Sequence, residues 1–173
     1  DDTHPCQIMA DVMTFEQHRG SIAGKTLSWV GDGNNVLHSL IEGSAQFGYR
    51  MNIGVPQGSE PEPHYVEWAT QNGGEVTVTR DPVEAVAGSD CVITDTWVSM
   101  GQEQRARGHN VFQPYQVNKH LMEKASPDAI FMHCLPAHRG EDVTDEVIDG
   151  PQSVVFDEAE NRMNAQKAIL AWC

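Results

Sequence analysis

Short apolar runs recur along the chain at intervals that helices would fill. The runs are continuous rather than alternating and rich in β-branched residues, as expected for strands covered on both faces. They predict strands at residues 27–30, 51–55, 76–79, 91–94, 130–133 and 154–156.

Apolar residues at helical spacing lie before, between and after these runs. In the first segment Pro5 suits the opening turn of a helix, and Gly20 can end it. Ile8, Val12 and Phe15 fall on one stripe of that helix. Further helices are predicted at residues 36–47, 64–71, 83–87, 116–124 and 159–172. The alternation indicates an α/β fold with a doubly wound, mostly parallel, Rossmann-like sheet flanked by helices.

The strongly acidic composition of the chain makes some classes of binding partner unfavourable. The chain has 173 residues, which suits one domain, and 25 acidic against 11 basic side chains give a formal net charge of −14. Such a surface repels phosphate backbones and anionic lipid, so we expect neither nucleic acid nor a membrane as a partner. No apolar run approaches the ~20 residues that cross a bilayer, and no secretory signal precedes the first motif.

The cysteines and the first residue bear on the compartment. The four cysteines form no CxxC pair, and the chain is too large and strand-rich to need a disulfide scaffold. We therefore expect reduced thiols and a cytoplasmic location. The abrupt opening at Asp1 leaves open an upstream segment that is absent here.

Two polar clusters follow two of the predicted strands. Residues 95–101 read DTWVSMG after the fourth strand, and residues 133–136 read HCLP at the end of the fifth. A parallel sheet presents its ligand-binding groups just past the carboxyl ends of its strands. The sequence therefore predicts one small-molecule site built from segments that are distant along the chain.

The segment 31–35, GDGNN, lies between the first strand and the next helix. Glycines there allow a tight turn, and the N–H groups at a helix start attract anions. A nicotinamide dinucleotide is disfavoured, because Val36 stands where GxGxxG has its third glycine and no acid ends the second strand. Two interpretations stay open: Asn34 caps the helix in an ordinary turn, or Asn35 contacts a ligand.

Asp95 and Ser99 offer acceptors for an ammonium group at the first cluster. A carboxylate and a hydroxyl provide charge-assisted hydrogen bonds to such a ligand. The alternative is that Asp95 only caps a turn.

Cys134 is the candidate reactive group of the second cluster. Most such cysteines are inert buried thiols, but His133 and Asp95 could poise this one as a polar, partly ionised group. Pro136 restricts the residue before it, so we expect an extended Leu135 whose carbonyl points in a fixed direction.

Two further groups of polar residues lie at predicted helix starts. Arg162 follows Glu158 and Glu160, and it either pairs with them or points its guanidinium into the cleft at an oxyanion. His4 and Gln7 lie one turn apart and could together grip a small amide, His4 donating to its oxygen and Gln7 accepting from its NH2.

Taken together, these segments resemble the ornithine carbamoyltransferase family. The matching segments are HPCQ at 4–7, GDGNN at 31–35, DTWVSMG at 95–101, HCLP at 133–136 and FDEAENR at 156–162. They occur in the family's order and span nearly the whole chain. Five motifs in register make the resemblance highly specific.

The resemblance implies a two-domain enzyme of which this chain is one part. Residues 1–20 would form an interdomain hinge helix, and residues 21–173 the ornithine-binding domain with a returning helix near 159–172. The family's Ser-Thr-Arg-Thr phosphate motif belongs to an N-terminal carbamoyl phosphate domain that is absent here. We therefore expect the fragment alone to be inactive and the full-length enzyme to be a homotrimer.

The resemblance also implies how ornithine is bound. Asn35 and the backbone N–H of Met100 would hold its carboxylate, and Asp95 with Ser99 would hold its α-ammonium. The arrangement at residues 99–101 favours ornithine over putrescine or acetylornithine, the amines of related enzymes. A non-catalytic, amino-acid-sensing Rossmann-like module remains the alternative from another class.

By the same resemblance, the carbamoyl group passes from carbamoyl phosphate to the δ-amino group of ornithine, giving citrulline and phosphate. His4 and Gln7 would grip the carbamoyl group, and Arg162 would stabilise its oxygen. Cys134 and the carbonyl of Leu135, which precedes a cis proline in the family, would lie near the attacking amine, with Asp95 orienting the thiol. Neither a metal nor an organic cofactor is expected, because phosphate is already a good leaving group.

Overall fold

A computed structural model describes residues 2–97 and 109–173. Their helices and strands alternate for most of the chain. In order they are α1 (Pro5–Arg19), β1 (Thr26–Val30), α2 (Asn35–Phe47), β2 (Arg50–Gly54), α3 (Pro63–Gln71), β3 (Glu75–Thr79), α4 (Pro82–Val86), β4 (Cys91–Thr94), α5 (His109–Phe112), α6 (Lys119–Met122), β5 (Ile130–His133), α7 (Asp145–Ile148) and α8 (Val155–Trp172).

The strands form one sheet in the order β3-β2-β1-β4-β5, and every pairing between neighbours is parallel. This confirms the predicted Rossmann-like α/β fold. The chain builds outward from β1 to β3 and then returns to place β4 on the other side of β1. The carboxyl ends of β1 and β4 therefore flank the point where the strand order reverses, which is where α/β sheets bind ligands.

Helices cover both faces of the sheet, and residues of each central strand alternate between two apolar cores. Trp29 and Ile93 face the core that contains α1 and α2. Their neighbours Val30 and Val92 face the core that contains α4, α6 and α7. This period of two, with apolar residues on both sides, explains why the strands read as continuous apolar runs.

The first helix has two buried faces. Its predicted apolar stripe lies in the core, while a polar face that includes Gln7, Asp11 and Thr14 is also buried. That second face packs along α8. Asn161 of α8 donates from Nδ2 to Oγ1 of Thr14 at 2.9 Å, and His18 pairs with Asp157 at 2.8 Å.

The predicted strand at residues 154–156 is wrong. In the part of the chain that the structure describes, pairing beyond β5 consists of one bridge between Phe131 and Ser153. Its two hydrogen bonds run from Phe131 N to Gln152 O at 2.8 Å and from Val154 N to Phe131 O at 3.0 Å. Helix α8 then begins at Val155, four residues earlier than predicted. Val155 enters the core and Phe156 faces solvent, so three consecutive apolar residues serve a helix start instead of a strand.

The helix predicted at residues 116–124 is shorter than expected. Residues Gln113–Tyr115 form a 3₁₀ turn, and α6 begins only at Lys119. Asn118 sets that start because its Oδ1 accepts from Leu121 N at 3.0 Å. Within the described ranges, no helix is both long enough and apolar enough to cross a bilayer.

Candidate active site

Three polar segments meet at the carboxyl edge of the sheet. The turn of residues 31–34 follows β1, Asp95 follows β4, and Cys134 follows β5. Since β1, β4 and β5 are consecutive in the sheet, their ends lie side by side. The structure thus brings together the two clusters that the sequence analysis singled out.

Asn34 caps α2 and also binds Asp95. Its Oδ1 accepts from the backbone N–H of Val36 and Leu37 at 3.0 and 3.1 Å. Its Nδ2 donates to Oδ2 of Asp95 at 2.7 Å. The capping role was one of the two open interpretations. The contact with Asp95 was missed, although it follows from the cap's place beside the end of a neighbouring strand.

Asn35 opens α2 next to this cap. Its side chain is half-buried and forms no hydrogen bond within residues 2–97 and 109–173. An amide in that state, at a helix start, is available to a ligand. The other two predicted ornithine contacts, Ser99 and Met100, lie outside the described residues.

Asp95 is held from three directions. Besides Asn34, the N–H of Thr96 donates to its Oδ1 at 2.7 Å, and the thiol of Cys134 hydrogen-bonds to its carboxylate. One donor atom each from Asp95, His133 and Cys134 lies within 4.8 Å of the others. The carboxylate is therefore fixed in place before any ligand arrives, and it does more than cap a turn.

The thiol of Cys134 is held in its protonated form. Burial raises its pKa above the usual range, and the charge of Asp95 and the hydrogen bond to that carboxylate raise it further. The interpretation of Cys134 as partly ionised is therefore wrong. A neighbouring carboxylate accepts the thiol proton and opposes a second negative charge.

His133 fixes the backbone that carries Cys134. The N–H of Leu135 donates to its Nδ1 at 2.9 Å, so Nε2 carries the proton and donates to Oδ2 of Asp142 at 2.6 Å. Both ring nitrogens of His133 are therefore hydrogen-bonded, and the His133–Asp142 pair is fully buried. A metal at Asp95, His133 and Cys134 would have to displace the Leu135 N–H and the thiol proton.

Leu135 departs from one expectation and meets another. Its bond to Pro136 is cis, as the resemblance implied. Its φ of 55° lies in the left-handed region instead of the extended conformation predicted before proline. The tight turn that returns its N–H to the imidazole of His133 accompanies this conformation.

An open cleft of about 650 Å³ lies between this turn and the second turn of α8. Arg162 lines it together with Cys134 and Leu135. No carboxylate of the described chain forms an ion pair with Arg162, so the predicted pairing with Glu158 and Glu160 is not the arrangement adopted. Helix α8 therefore brings a guanidinium to the same cleft as the thiol of β5.

His4 and Gln7 lie at the start of α1 and do not line this cleft. The backbone N–H of His4 donates to Oγ of Ser39 at 2.7 Å. Burial, followed by the charge of Arg162, lowers the pKa of His4, while Asp95 acts in the opposite sense. His4 is therefore a neutral imidazole within electrostatic reach of both charged groups of the site.

Gln7 is tied to two buried carboxyl groups, and neither contact was predicted from the sequence. Its Nε2 donates to Asp11 at 2.8 Å and to Glu158 at 2.9 Å. Its Oε1 is buried without a hydrogen-bond partner in the described part of the chain. An unpaired buried acceptor is unusual and is the kind of atom that a ligand N–H would satisfy.

The turn after β1 also bears on dinucleotide binding. The N–H of Gly33 donates to the carbonyl of Ser59 at 2.9 Å, and a Cβ at Gly33 would lie 2.4 Å from that oxygen. The chain's own loop therefore occupies the close approach that the glycine permits. This observation also weighs against a nicotinamide dinucleotide, whose pyrophosphate would take that place.

Comparison with known proteins gives one family. Residues 23–173 match the family described as aspartate/ornithine carbamoyltransferase, Asp/Orn binding domain. The chain is 75% identical over all 173 residues to an ornithine carbamoyltransferase of Rhizobium johnstonii, and it covers 57% of that protein. It is 71% identical to that of Agrobacterium fabrum, again covering 57% of the relative.

Solved structures agree with this result. The ornithine carbamoyltransferase of Pyrococcus furiosus matches 99% of this chain with a TM-score of 0.93 and 50% identity, and 56% of that chain is covered. The enzyme of Giardia lamblia matches 98% with a TM-score of 0.90 and 33% identity, and 59% of it is covered. The chain thus spans somewhat more than half the length of these relatives.

Proposed function

The chain belongs to the aspartate/ornithine carbamoyltransferase family, and on that premise we propose that it is the ornithine-binding half of an ornithine carbamoyltransferase. The reaction moves the carbamoyl group of carbamoyl phosphate to the δ-amino group of L-ornithine and yields L-citrulline and phosphate. The identity to relatives named for ornithine supports this choice of amine.

The share of the relatives that the chain covers supports a proposed division into two parts. Residues 1–20 act as the hinge helix and residues 21–173 as the ornithine domain. The other half of the full-length enzyme binds the phosphate of carbamoyl phosphate. By the family resemblance, the full-length enzyme is a homotrimer. Helix α8 exposes large apolar side chains, among them Phe156, Leu170 and Trp172. Such side chains support the proposal that another part of the full-length enzyme packs against this helix. The isolated chain should have negligible turnover because half of the cleft is missing.

Asp95 is the proposed anchor for the α-ammonium of ornithine. Its carboxylate is already oriented by Asn34 and by the N–H of Thr96, so binding costs little reorganisation. The amide of Asn35, at the positive end of α2, is the proposed donor to the ornithine carboxylate. Ser99 and Met100 complete the proposed set from outside the described residues.

Cys134 and the carbonyl of Leu135 are the proposed acceptors for the δ-amino group. That group has a pKa near 10.4, like lysine, and attacks only after losing a proton. The protonated thiol donates a hydrogen bond to Asp95, so the sulfur lone pairs remain free to accept an N–H of the amine. The sulfur then aims the nitrogen lone pair without attacking the carbonyl itself.

Arg162 and His4 are the proposed donors to the carbamoyl oxygen. Negative charge develops there as the amine attacks, and a guanidinium in the cleft stabilises it. The lowered pKa of His4 keeps the imidazole neutral, so it donates one N–H. Gln7, through its unpaired Oε1, accepts from the carbamoyl NH2. The bond from the carbonyl carbon to the phosphate oxygen then breaks, and the departing phosphate takes the electron pair and the proton that the new amide nitrogen loses, without help from a cofactor.

The convergence of Asp95, Cys134 and Arg162 from three separate elements at one edge of the sheet carries this proposal. Its test joins the chain to the part of the Rhizobium johnstonii relative that the chain does not cover, a fusion called here the complemented chain. We expect citrulline from ornithine and carbamoyl phosphate with the complemented chain, and negligible citrulline with the 173 residues alone. A folded complemented chain without citrulline formation would refute the assignment.

A further inference from the structure

A buried polar cluster joins the start of α1 to the start of α8. Nε2 of Gln7 donates to Oδ1 of Asp11 at 2.8 Å and to Oε1 of Glu158 at 2.9 Å. Gln7, Asp11 and Glu158 expose 0%, 2% and 1% of their surface. Groups this polar remain in an interior only when they bond to one another, so the three side chains form one unit.

The two carboxyl groups determine which way the Gln7 amide faces. An amide NH2 carries two N–H groups, and here each has a carboxyl oxygen as its acceptor. Rotating the amide by half a turn would set Oε1 against the same two oxygens and lose both bonds. The cluster thus leaves Oε1, which is buried and has no partner among the described residues, as the single polar atom of Gln7 that can serve a ligand.

Glu158 connects this cluster to the turn that carries Cys134. Its Oε2 accepts from the backbone N–H of His133 at 2.8 Å. One carboxyl group therefore holds the Gln7 amide through one oxygen and the last residue of β5 through the other. The two sides of the proposed carbamoyl site are fixed relative to each other by a single side chain.

The two carboxyl groups resist ionising together. Burial raises the pKa of Asp11 to about 7 and that of Glu158 well above its usual range, and a hydrogen bond joins the two. Adjacent buried carboxylates do not both ionise. Within residues 2–97 and 109–173, the ionisable groups that face the pair from neighbouring elements are Tyr49, Cys91, Asp95, Cys134 and Arg162. Arg162 alone among these favours the ionised pair.

Resting on the proposed function, we propose that Asp11 and Glu158 are positioning residues for carbamoyl transfer. The pair holds the NH2 group of Gln7 inward, so that Oε1 accepts from the NH2 of the carbamoyl group. Neither carboxyl touches substrate. Their effect on the reaction passes through Gln7.

A double-mutant cycle in the complemented chain tests this dependence. Asp11→Ala removes one acceptor of the Gln7 amide, and we expect the KM for carbamoyl phosphate to rise about tenfold while the KM for ornithine changes less than twofold. In a Gln7→Ala background the same change should add less than twofold. Asp11→Asn retains an acceptor oxygen and should restore the KM to within threefold of the parent.

Asp157→Asn is the matched control. Asp157 precedes Glu158 and also links α8 to α1, through His18, but it does not reach Gln7. Its KM values should equal those of the parent. Additive effects of Asp11→Ala and Gln7→Ala would overturn the positioning role, and so would an equal rise in the KM for ornithine. Citrulline formation by the unsubstituted complemented chain would still uphold the proposed function in either case.

A second measurement does not depend on catalysis. In the 173-residue chain, the side-chain NH2 signals of Gln7 should be protected from exchange with solvent and should shift as the carboxyl pair titrates. Asp11→Ala, or Asp11→Asn if the alanine variant does not fold, should change the shift, and Asp157→Asn should leave it. Signals that exchange freely and ignore pH between about 5 and 9 would refute the arrangement even if the complemented chain were inactive.

Discussion

The two halves of the candidate site are built in different ways. The amine half lies at the strand ends, where Asn34, Asp95 and Cys134 follow three adjacent strands and contact one another through the turns. The carbamoyl half lies where α1 crosses α8, and Gln7 there contacts Glu158 across 151 positions of sequence. The first is assembled by the sheet and the second by the packing of the chain's two end helices.

The two halves also differ in the chemical groups that they use. The amine half joins the carboxylate of Asp95 to a thiol that stays protonated, and Asn34 donates to the same carboxylate. The carbamoyl half combines a guanidinium in an open cleft with a carboxyl pair that is fully enclosed. A change in the amine half should therefore act on ornithine, and a change in the carbamoyl half on the carbamoyl group or on stability.

Arg162→Ala should have the largest effect, because it removes the positive charge that faces the developing oxyanion. We expect kcat/KM of the complemented chain to fall about 10³-fold, in the range that one preorganised donor supplies. Steady-state citrulline assays, with circular dichroism to confirm the fold, measure it. A loss below about tenfold would remove Arg162 from oxyanion stabilisation and shift that role to His4.

Cys134→Ser should come next. A serine hydroxyl can still donate to Asp95, but its oxygen is smaller than sulfur and leaves the amine less well oriented. We expect kcat to fall about 10²-fold with the Tm within about 2 °C of the parent, as for a misplaced positioning group. Kinetics indistinguishable from the parent would take Cys134 out of the mechanism. A thiolate role would instead add a pH-dependent rise in kcat for the parent, which the raised pKa of the thiol does not predict.

Sequence patterns identified the amine half and only part of the carbamoyl half. Asp95 and Cys134 each end a buried strand, so a local signal and the geometry of parallel sheets predicted their meeting. Asp11 sits on a helix face that looks solvent-exposed in the sequence, and its burial depends on α8. No local pattern reports a contact between two ends of a chain.

The same limit explains the errors in the predicted elements. Val154 to Phe156 form three consecutive apolar residues, which suit a buried strand and a buried helix start equally well. The structure decides for the helix because strand pairing beyond β5 stops at Ser153. The carboxylate beside Cys134 was identified from the sequence, but its effect on the thiol proton required the distance and the burial.

Asn34→Ala should weaken the amine half without touching the carbamoyl half. The change removes the α2 cap, at a cost of about 1 kcal/mol, and releases Asp95 from its 2.7 Å hydrogen bond. We expect the KM for ornithine to rise about tenfold and the KM for carbamoyl phosphate to stay within about twofold. Asn34→Asp, which keeps a cap but repels Asp95, separates the two contributions: it should restore the Tm and not the KM.

Asp11→Asn should produce the smallest effect, and it concerns stability. Burial raises the folded-state pKa of Asp11 from 3.8 to about 7, so the folded chain binds a proton that the unfolded chain has released. The stability from that proton is fully present below about pH 4 and is lost as the pH rises through about 7. The asparagine amide of the variant, neutral at every pH, avoids this loss.

We therefore expect Asp11→Asn to gain stability relative to the parent between about pH 4 and about pH 8.5, by about 2 kcal/mol or more. Urea unfolding of the 173-residue chain at both pH values measures the difference. Asp157→Asn, at an exposed position on the same helix, should not be more stable than the parent at about pH 8.5. The buried carboxyl group of Asp11 thus lowers the stability of the fold above neutral pH. The benefit that offsets this cost is the orientation of Gln7 in the carbamoyl half. A variant less stable than the parent at both pH values would mean that Asp11 is a simple packing residue, and the contrast between the two halves would lose its energetic basis.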